Sequence, residues 1–410
     1  MASRSVDFLL IGGGVACAVC ARTLRSEGAD GSILVVGREP DPPYDRPPLS
    51  KEYLAGEAER SDALVLDSGW WEENDVELLT RTSAMKLDAG ERTAALSTKD
   101  EVGFGKALVA TGANVRRLRV DGAQLEGVHY LRSFGNADAI REEARDGARA
   151  VLVGGSFIGC EVAATLTALG VRCSIVMEEE VTFERPFGRE VGEFFEGVLR
   201  SHGVEVHGGQ SLGSFEGGGE RVERVVAESG LSLDCDLVVV GAGVVPDVML
   251  ARSAGLELGE RGGVRCSDRL ETSVPGVYAA GDVCEWDSPL HGGPARVEHW
   301  DVAAEHGKTA ARNMLGADAP HEAVPYFWSD LSDWASLEYV GTGPGDGPPA
   351  IRGSLADGEF TAFYTDGGRV VSALTVGRSE DLTEARRLIA DRASPDPAAL
   401  ADEGTDLGSL

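Results

Sequence analysis

The sequence predicts an α/β fold with two separate βαβ units, followed by a smaller C-terminal region of antiparallel strands. Two Gly-rich turns carry this prediction, because each stands between a short apolar strand and a helix, with a second strand after it. With 410 residues, the chain is long enough for two or three domains. There is no short internal repeat, and the two βαβ units share only a motif.

The composition is that of an ordinary globular chain, with 42% hydrophobic and 26% charged residues. The formal net charge of -30 argues against nucleic acid or an anionic membrane as a partner. No apolar stretch approaches the roughly 20 residues that span a bilayer, and residues 1–7 contain no secretory apolar segment. We therefore expect a cytoplasmic protein.

The first βαβ unit has a predicted strand, helix and strand at Val6–Ile11, Val15–Ser26 and Ile33–Val36. Glycines in its turn let the chain bend sharply and let the backbone approach a pyrophosphate at the helix N-terminus. Gly12 and Gly14 match the first two glycines of G-x-G-x-x-G, whereas Cys17 takes the third position. Arg38 stands where a ribose-binding carboxylate is expected, so Glu39 is the candidate for that role.

The second βαβ unit has its predicted strand, helix and strand at Ala150–Val153, Cys160–Leu169 and Arg172–Met177. Its turn runs from Gly154 to Gly159, with Ser156 in place of the middle glycine. Glu178 ends the strand, where a carboxylate can accept from ribose hydroxyls, and two more glutamates follow it. Three carboxylates would repel a 2′-phosphate, and no arginine stands in the immediate vicinity to receive one, which favours NADH over NADPH. The alternative is that residues 178–180 are a run of solvated charged side chains without a binding role.

Two dinucleotide folds in one chain imply two dinucleotides. We infer a flavoprotein in which one site holds FAD and the other binds NAD(H) transiently, so that the cofactor supplies the redox chemistry.

Further motifs point to a family, namely Lys106–Gly112 (ending in Ala-Thr-Gly), Asp236–Pro246 and Thr272–Asp282. With the two turns, they resemble flavoprotein reductases related in architecture to glutathione reductase. Tyr44–Lys51 (YDRPPLSK) and Val324–Asp330 (VPYFWSD) resemble the FAD-dependent ferredoxin reductases of oxygenase systems, which include putidaredoxin, rubredoxin and biphenyl dioxygenase reductases. The resemblance implies two Rossmann-like, glutathione-reductase-like domains and a C-terminal α+β domain.

The resemblance also implies binding roles. Lys51 would lie near flavin N5, Asp282 at the ribityl hydroxyls, and Trp300 at the pyrimidine end of the ring. The full FAD set comprises Gly12, Gly14, Ala16, Glu39, Arg46, Lys51, Ala84, Thr111, Gly112, Arg132, Gly281, Asp282, Trp300 and Trp328. The NADH set comprises Gly154, Ser156, Ile158, Gly159 and Glu178. Glu161 would reach over the nicotinamide and pair with Lys51, and these two are the catalytic candidates.

Each of these roles has a plainer alternative. A lone lysine such as Lys51 is usually a solvated surface residue, and Glu161 stands one turn into a helix, where a carboxylate also favours the positive dipole end. Trp328 is also compatible with a core or interface aromatic.

The cysteines exclude one class of mechanism. Relatives of glutathione reductase use cysteines in the helix after the second strand, whereas residues 40–55 contain none here. A thiol-based mechanism therefore lacks its nucleophile. Cys17 and Cys20 form a C-x-x-C string on a helix, which we interpret as packing. The remaining cysteines form no metal-ligand cluster, and these are Cys160, Cys173, Cys235, Cys266 and Cys284.

We expect a discontinuous FAD domain over 1–113 and 245–321, an NAD domain over 114–244, and a C-terminal α+β domain over 322–410. Predicted strands in the last domain are Leu337–Val340, Ala350–Gly353, Phe360–Tyr364 and Val370–Val376, followed by a helix over Leu382–Ala393. The Pro-, Ala- and acid-rich tail from Ser394 predicts mobility.

The resemblance implies that NADH passes a hydride to FAD, and that electrons then leave singly to a [2Fe–2S] ferredoxin or a rubredoxin that serves a cytochrome P450 or a ring-hydroxylating dioxygenase. We expect a monomer. An acidic reductase should repel an acidic ferredoxin, although salt would screen this repulsion. Two alternatives stay open: an NADH oxidase or diaphorase, and a redox-sensing NAD-binding flavoprotein of the apoptosis-inducing-factor type.

Overall fold

A computed structural model describes residues 4–410, so Met1, Ala2 and Ser3 lie outside the described residues. The predicted FAD domain starts on these three residues. They also belong to residues 1–7, for which the sequence predicts no secretory segment. Within the described part, no helix combines the length and apolar character needed to cross a membrane.

Short β-strands run through the whole of the described chain. The strands up to residue 115 are β1 Arg4–Ile11, β2 Ile33–Val36, β3 Val76–Leu79, β4 Ala84–Asp88, β5 Thr93–Leu96, β6 Glu101–Val109 and β7 Ala113–Val115. The next are β8 Val128–Tyr130, β9 Arg149–Val153, β10 Arg172–Val176, β11 Glu205–His207, β12 Leu212–Glu216, β13 Arg224–Ala227, β14 Ser232–Asp234, β15 Leu237–Val240 and β16 Val244–Pro246. The last are β17 Val264–Cys266, β18 Val277–Ala279, β19 Cys284–Ser288, β20 Gly293–Ala295, β21 Tyr326–Leu331, β22 Ala335–Gly341, β23 Ala350–Ser354, β24 Glu359–Asp366 and β25 Arg369–Val376.

The α-helices are α1 Val15–Ser26, α2 Glu52–Ala55, α3 Trp70–Glu73, α4 Phe134–Glu143, α5 Phe157–Ala168, α6 Glu184–Ser201, α7 Met249–Ser253, α8 Trp300–Met314, α9 Ser379–Ala390 and α10 Pro397–Ala401. Short 3-10 helices cover Pro47–Ser50, Arg60–Ala63, Gly281–Val283 and Leu407–Ser409.

The chain divides into two compact units. Unit 1 comprises the described residues up to Arg46, with Arg60–Asn114 and Val244–Pro325. Unit 2 comprises Pro47–Glu59, Val115–Gly243 and Tyr326–Leu410. The short segment Pro47–Glu59, which carries Lys51, therefore packs with unit 2. The predicted boundaries of three domains stay a prediction.

Unit 1 is built on a sheet of strand order β3-β2-β1-β6-β5-β4, with β18 also paired to β6. Strands β1, β2, β3, β6 and β18 are parallel, and every residue of β2 is buried, as in a sheet covered on both faces. Helix α8 packs closely on α1 because Gly307 has no side chain. A Cβ at Gly307 would lie 2.5 Å from the carbonyl oxygen of Ala16. The predicted strands and helix of the first βαβ unit correspond to β1, α1 and β2.

Unit 2 contains a parallel sheet of order β11-β10-β9-β15-β8, with α5 packed on β9 and β10. The predicted second βαβ unit corresponds to β9, α5 and β10, but α5 begins at Phe157, three residues before the predicted start, so the last part of the predicted turn is helical. Strands β12, β13 and β14 form a separate antiparallel sheet. Both βαβ turns therefore lie at the carboxyl end of a buried parallel strand.

The C-terminal part of unit 2 is an antiparallel sheet of order β21-β22-β25-β24-β23, against which α9 packs. Four of these strands match predictions, and a two-residue turn at Gly367 and Gly368, both with positive φ, joins β24 to β25. Strand β21 was not predicted. It carries Trp328 and pairs with β22.

The acidic tail after Ser394, for which composition predicts mobility, makes defined contacts with this sheet. The Arg352 guanidinium, which is buried, donates to the carbonyl oxygens of Asp402 (2.5 Å) and Thr405 (3.0 Å). Leu400 and Leu407 are buried. The tail is held because long-range arginine contacts satisfy its carbonyl groups, and composition alone does not reveal such contacts.

Candidate functional site

In unit 1, Gly12 and Gly14 have different structural reasons to be glycine. Gly12 has a φ of +154, and a Cβ there would lie 2.1 Å from the carbonyl oxygen of Ala110 and 3.2 Å from the sulfur of Cys17. The fold itself therefore requires Gly12, and the small Cys17 side chain fits against it. A Cβ at Gly14 would meet no protein atom within 4 Å. Gly14 thus leaves open space at the start of α1.

The N-terminus of α1 has the chemistry of a pyrophosphate site. Gly14 is the N-cap residue, no side chain caps the helix, and no acidic residue occupies its first turn. The first backbone N–H groups and the positive end of the helix dipole favour an anion there. Together with the space over Gly14, this arrangement fits the pyrophosphate of FAD.

Glu39 lies in a network with two residues of the YDRPPLSK segment. Tyr44 donates to one carboxylate oxygen (2.5 Å) and Arg46 to the other (2.7 Å). Burial acts to raise the pKa of Glu39, but Arg46 and Tyr44 outweigh it, so the pKa is lowered. The carboxylate therefore stays ionised at a position where a ribose hydroxyl could donate to it. Sequence reasoning did not identify Tyr44, although it stands in the motif.

Arg38, the departure from the expected carboxylate, has a role in the fold. Its guanidinium pairs with Asp247 (2.9 Å) and donates to the side-chain oxygen of Asn114 (2.7 Å). Thr111 also donates to the backbone carbonyl of Asp247 (2.7 Å), and Gly112, with φ +69, accepts from the Asp247 backbone N–H (2.9 Å). These contacts tie the residues that follow β6 to the start of the Val244–Pro325 segment of unit 1.

The turn that carries Asp282 is fixed from behind by a histidine. Gly281 has a φ of +73, and its N–H donates to Nδ1 of the fully buried His306 (3.2 Å). Asp282 follows and is half-buried. Arg296 donates to its carbonyl oxygen (3.3 Å).

Trp300 begins α8, and its indole N–H donates to Asp45 (2.6 Å). Ala84 begins β4, and Ala16 is buried where α1 meets α8. Arg132 lies in unit 2, where its backbone N–H donates to Asn136 (3.2 Å).

The second Gly-rich turn, in unit 2, is tightly packed. Gly154 has a φ of +109, and a Cβ at Gly159 would lie 1.9 Å from the Gly154 carbonyl oxygen. Ser156 is the N-cap residue of α5 but makes no capping hydrogen bond with its side chain. Ile158 is 37% exposed in the first turn of the helix. The first N–H groups of α5 are thus free of side-chain competition, which fits a second pyrophosphate.

Glu178 lies exposed just beyond β10. The absence of a nearby arginine, which was inferred from the sequence, is wrong. Arg185 pairs with Glu179 at 2.9 Å, with 80% of its side chain exposed. The first turns of α6 bring this arginine back to the glutamate run, whereas linear spacing separates the two.

The two catalytic candidates form an ion pair within unit 2. The Lys51 ammonium lies 3.0 Å from Oε2 of Glu161, and the side chains are 13% and 6% exposed. Ser50 donates to Oε2 (2.5 Å) and Ser329 donates to Oε1 (2.5 Å). Thr165, one turn along α5, donates to the carbonyl of Ser50 (2.7 Å). Lys51 is therefore a partly buried, paired cation, and Glu161 does more than complement a helix dipole. Neither serine was singled out from the sequence.

Trp328 precedes Ser329 on β21, so the two side chains point to opposite faces of the strand. Ser329 is buried and Trp328 is half-buried, with its ring 6.1 Å from that of Tyr326 and nearly parallel to it.

All seven cysteines, which lie between residues 17 and 284, are buried and unpaired. Burial raises the pKa of Cys17 and Cys20 far above that of a reactive thiol, and the pKa of Cys173 to about 11. Among residues 4–410, no group of His, Cys, Asp and Glu is arranged to hold a metal ion.

Comparison with known proteins matches residues 6–307 to the pyridine nucleotide-disulphide oxidoreductase family. The chain belongs to this family. A second family model, for the C-terminal domain of reductases, matches residues 326–410.

Individual members of this family match along nearly the whole chain. The ferredoxin–NAD(+) reductase subunit of the benzene 1,2-dioxygenase system of Pseudomonas putida is 33% identical over 402 residues, which cover 98% of this chain and 96% of that protein. The ferredoxin reductase for the CYP199A2 system from Rhodopseudomonas palustris superposes with a TM-score of 0.94 at 32% identity, covering 98% of this chain and 99% of the other. Putidaredoxin reductase, in its covalent complex with putidaredoxin, gives 0.93 at 31% identity, covering 100% and 98%.

Family membership confirms the predicted fold class, with two Rossmann-like domains and a C-terminal α+β domain. It also confirms the predicted resemblance to the FAD-dependent ferredoxin reductases of oxygenase systems, and hence an oxidoreductase that uses FAD and NADH. The roles of the individual site residues stay predictions.

Proposed function

We propose that this flavoprotein is an NADH-dependent ferredoxin reductase, which takes a hydride from NADH and passes single electrons to a [2Fe–2S] ferredoxin of an oxygenase system. The observation that carries the proposal is the full-length similarity to named ferredoxin reductases, including the C-terminal domain. The relative in complex with putidaredoxin supports a ferredoxin as the acceptor. That the protein acts as a monomer and in the cytoplasm stays a prediction.

The residues of unit 1 would hold FAD. The pyrophosphate would take the open space over Gly14, the Glu39 carboxylate would accept from the adenosine ribose, and Asp282 would accept from the ribityl chain. When bound, FAD supplies the conversion between two-electron and one-electron transfer. Arg46 would keep Glu39 ionised, because it pairs with that carboxylate at 2.7 Å.

The residues of unit 2 would hold NADH and tune the flavin. The α5 N-terminus would bind the NADH pyrophosphate, and Glu178 would accept from the adenosine ribose. Lys51 would place positive charge near flavin N5. This charge would stabilise the negative charge that the flavin gains with the hydride. Glu161 would hold the Lys51 side chain in place. We keep the preference for NADH because Arg185, the arginine beside the glutamate run, already pairs with Glu179. Its positive charge is balanced by that carboxylate, so Arg185 would attract a 2′-phosphate only weakly.

Stopped-flow reoxidation tests the proposal. The NADH-reduced protein is mixed with air-saturated buffer or with an oxidised [2Fe–2S] ferredoxin, over a range of salt concentrations. We expect fast reoxidation by ferredoxin and slow reoxidation by oxygen. Reoxidation that is faster with oxygen would instead identify an NADH oxidase. A stable reduced complex with NAD, together with a concentration-dependent increase in size, would identify a redox sensor.

A further inference from the structure

The Glu161 carboxylate is held by three separate segments of unit 2. Ser50 ends the 3-10 helix Pro47–Ser50, Lys51 follows it, and Ser329 is on β21. Ser50, Glu161 and Ser329 are 1%, 4% and 1% exposed. At this depth water does not compete for the carboxylate, so the protein groups alone decide its orientation.

The donors are divided unequally between the two carboxylate oxygens. Oε2 receives the Ser50 hydroxyl and faces the Lys51 ammonium, whereas Oε1 receives only the Ser329 hydroxyl among the contacts of the described residues. A buried carboxylate oxygen without a donor is costly. If the Ser329 hydroxyl were absent, Oε1 would turn toward the nearest cation, Lys51.

We propose that Ser329 is a positioning residue, whose hydroxyl keeps Glu161 from fully neutralising Lys51. The inference rests on the proposed function, in which the Lys51 charge acts on the flavin. With Ser329 in place, the negative charge of Glu161 is shared among two hydroxyls and one ammonium. Without it, both oxygens engage Lys51, and less positive potential reaches the flavin. Strand β21 would thus contribute through Ser329 as well as through Trp328.

The test compares wild type with S329A, S329T and S336A, all loaded with FAD. The readouts are the two-electron midpoint potential of the flavin and the single-turnover rate of its reduction by NADH. We expect S329A to lower the potential and to slow reduction about tenfold, as loss of one hydrogen bond to a charged group would do. We expect S329T, which retains the hydroxyl, to restore both within about twofold of wild type.

S336A is the matched control. Ser336 lies on the neighbouring strand β22 and also donates to a carboxylate, that of Asp330 (2.6 Å), but it does not contact Glu161. We expect it to change neither readout. S50A gives an independent check, because it removes the hydroxyl donor from the other oxygen and should shift the potential in the same direction as S329A.

A double-mutant cycle with E161Q isolates the mechanism. In the E161Q background, adding S329A should leave the potential unchanged. An S329A protein with the wild-type potential, an S329T protein as impaired as S329A, or an undiminished S329A effect in E161Q would each overturn the inference. A wild type whose flavin NADH cannot reduce would contradict the proposed function itself, and the inference with it.

Discussion

Acidification should loosen helix α8 through one buried histidine, His321. Its ring is 3% exposed, packs edge-on against His306 with centroids 4.5 Å apart, and has Nδ1 3.1 Å from the hydroxyl of Thr309. Burial lowers its pKa to about 4, although Glu305 acts to raise it. The folded protein therefore keeps this imidazole neutral at a pH where the unfolded chain would protonate it.

The sign and size of the effect follow from linkage. Because the folded pKa lies below the unfolded value near 6.5, the stabilisation is complete above pH 6.5 and is lost as the pH falls toward 4. Between pH 7 and pH 5 this one group should cost about 2 kcal/mol of local stability, which is about a 20-fold increase in the open population.

Native-state hydrogen exchange of the α8 amides measures this directly, once the rates are corrected for intrinsic exchange at each pH. His321→Gln removes the titrating group, and its side-chain amide can still bond to Thr309. We expect the variant to lose less protection than wild type between pH 7 and pH 5, by about 2 kcal/mol. The remaining slope would come from His299, whose burial lowers its pKa to about 4, and from His306. An equal pH dependence in variant and wild type would show that His321 is not the group whose protonation opens α8.

Three further changes have defined outcomes. Gly14→Ala should leave the melting temperature of the apoprotein unchanged but lose FAD affinity at least tenfold in a flavin titration, because its Cβ meets no protein atom within 4 Å but enters the space assigned to the pyrophosphate. An unchanged affinity would remove FAD from this turn. Glu178→Ala should raise the KM for NADH several-fold with little change in kcat, and an unaltered KM would argue against the ribose contact. Arg352→Met should free the tail, because the carbonyls of Asp402 and Thr405 lose their donor. Limited proteolysis after Ser394 should then become at least tenfold faster than in wild type. Equal cleavage rates would show that the tail is mobile already in the wild type.

The sequence was most informative where one local rule decided the structure. An apolar run bounded by glycines identified β2 to the residue, and the first Gly-rich turn placed α1 to the residue. The second turn indicated α5 but placed its start three residues too late, because Phe157, Ile158 and Gly159 already belong to the helix. The Lys51 and Glu161 pairing followed from family resemblance, because periodicity and spacing do not bring two residues this far apart in the chain together.

The features that were missed depend on polar contacts that local sequence patterns do not specify. Strand β21 escaped prediction because Ser329, a polar residue, faces inward to reach Glu161 and so disrupts the expected apolar alternation. The Arg185 contact with Glu179 depends on how the first turns of α6 follow β10. In each case the deciding partner is a charged or polar side chain, whose placement hydrophobic patterning does not record.

An anaerobic titration followed by visible absorbance tests most directly whether electrons pass from NADH through FAD to a ferredoxin. The purified protein receives NADH or NADPH and then a [2Fe–2S] ferredoxin with cytochrome c. This route of electrons from NADH through FAD to a ferredoxin predicts bound FAD, bleaching by one equivalent of NADH but poorly by NADPH, and cytochrome c reduction only once the ferredoxin is present. A colourless protein that cannot be reconstituted with FAD would contradict it, as would cytochrome c reduction that proceeds at full rate without a ferredoxin.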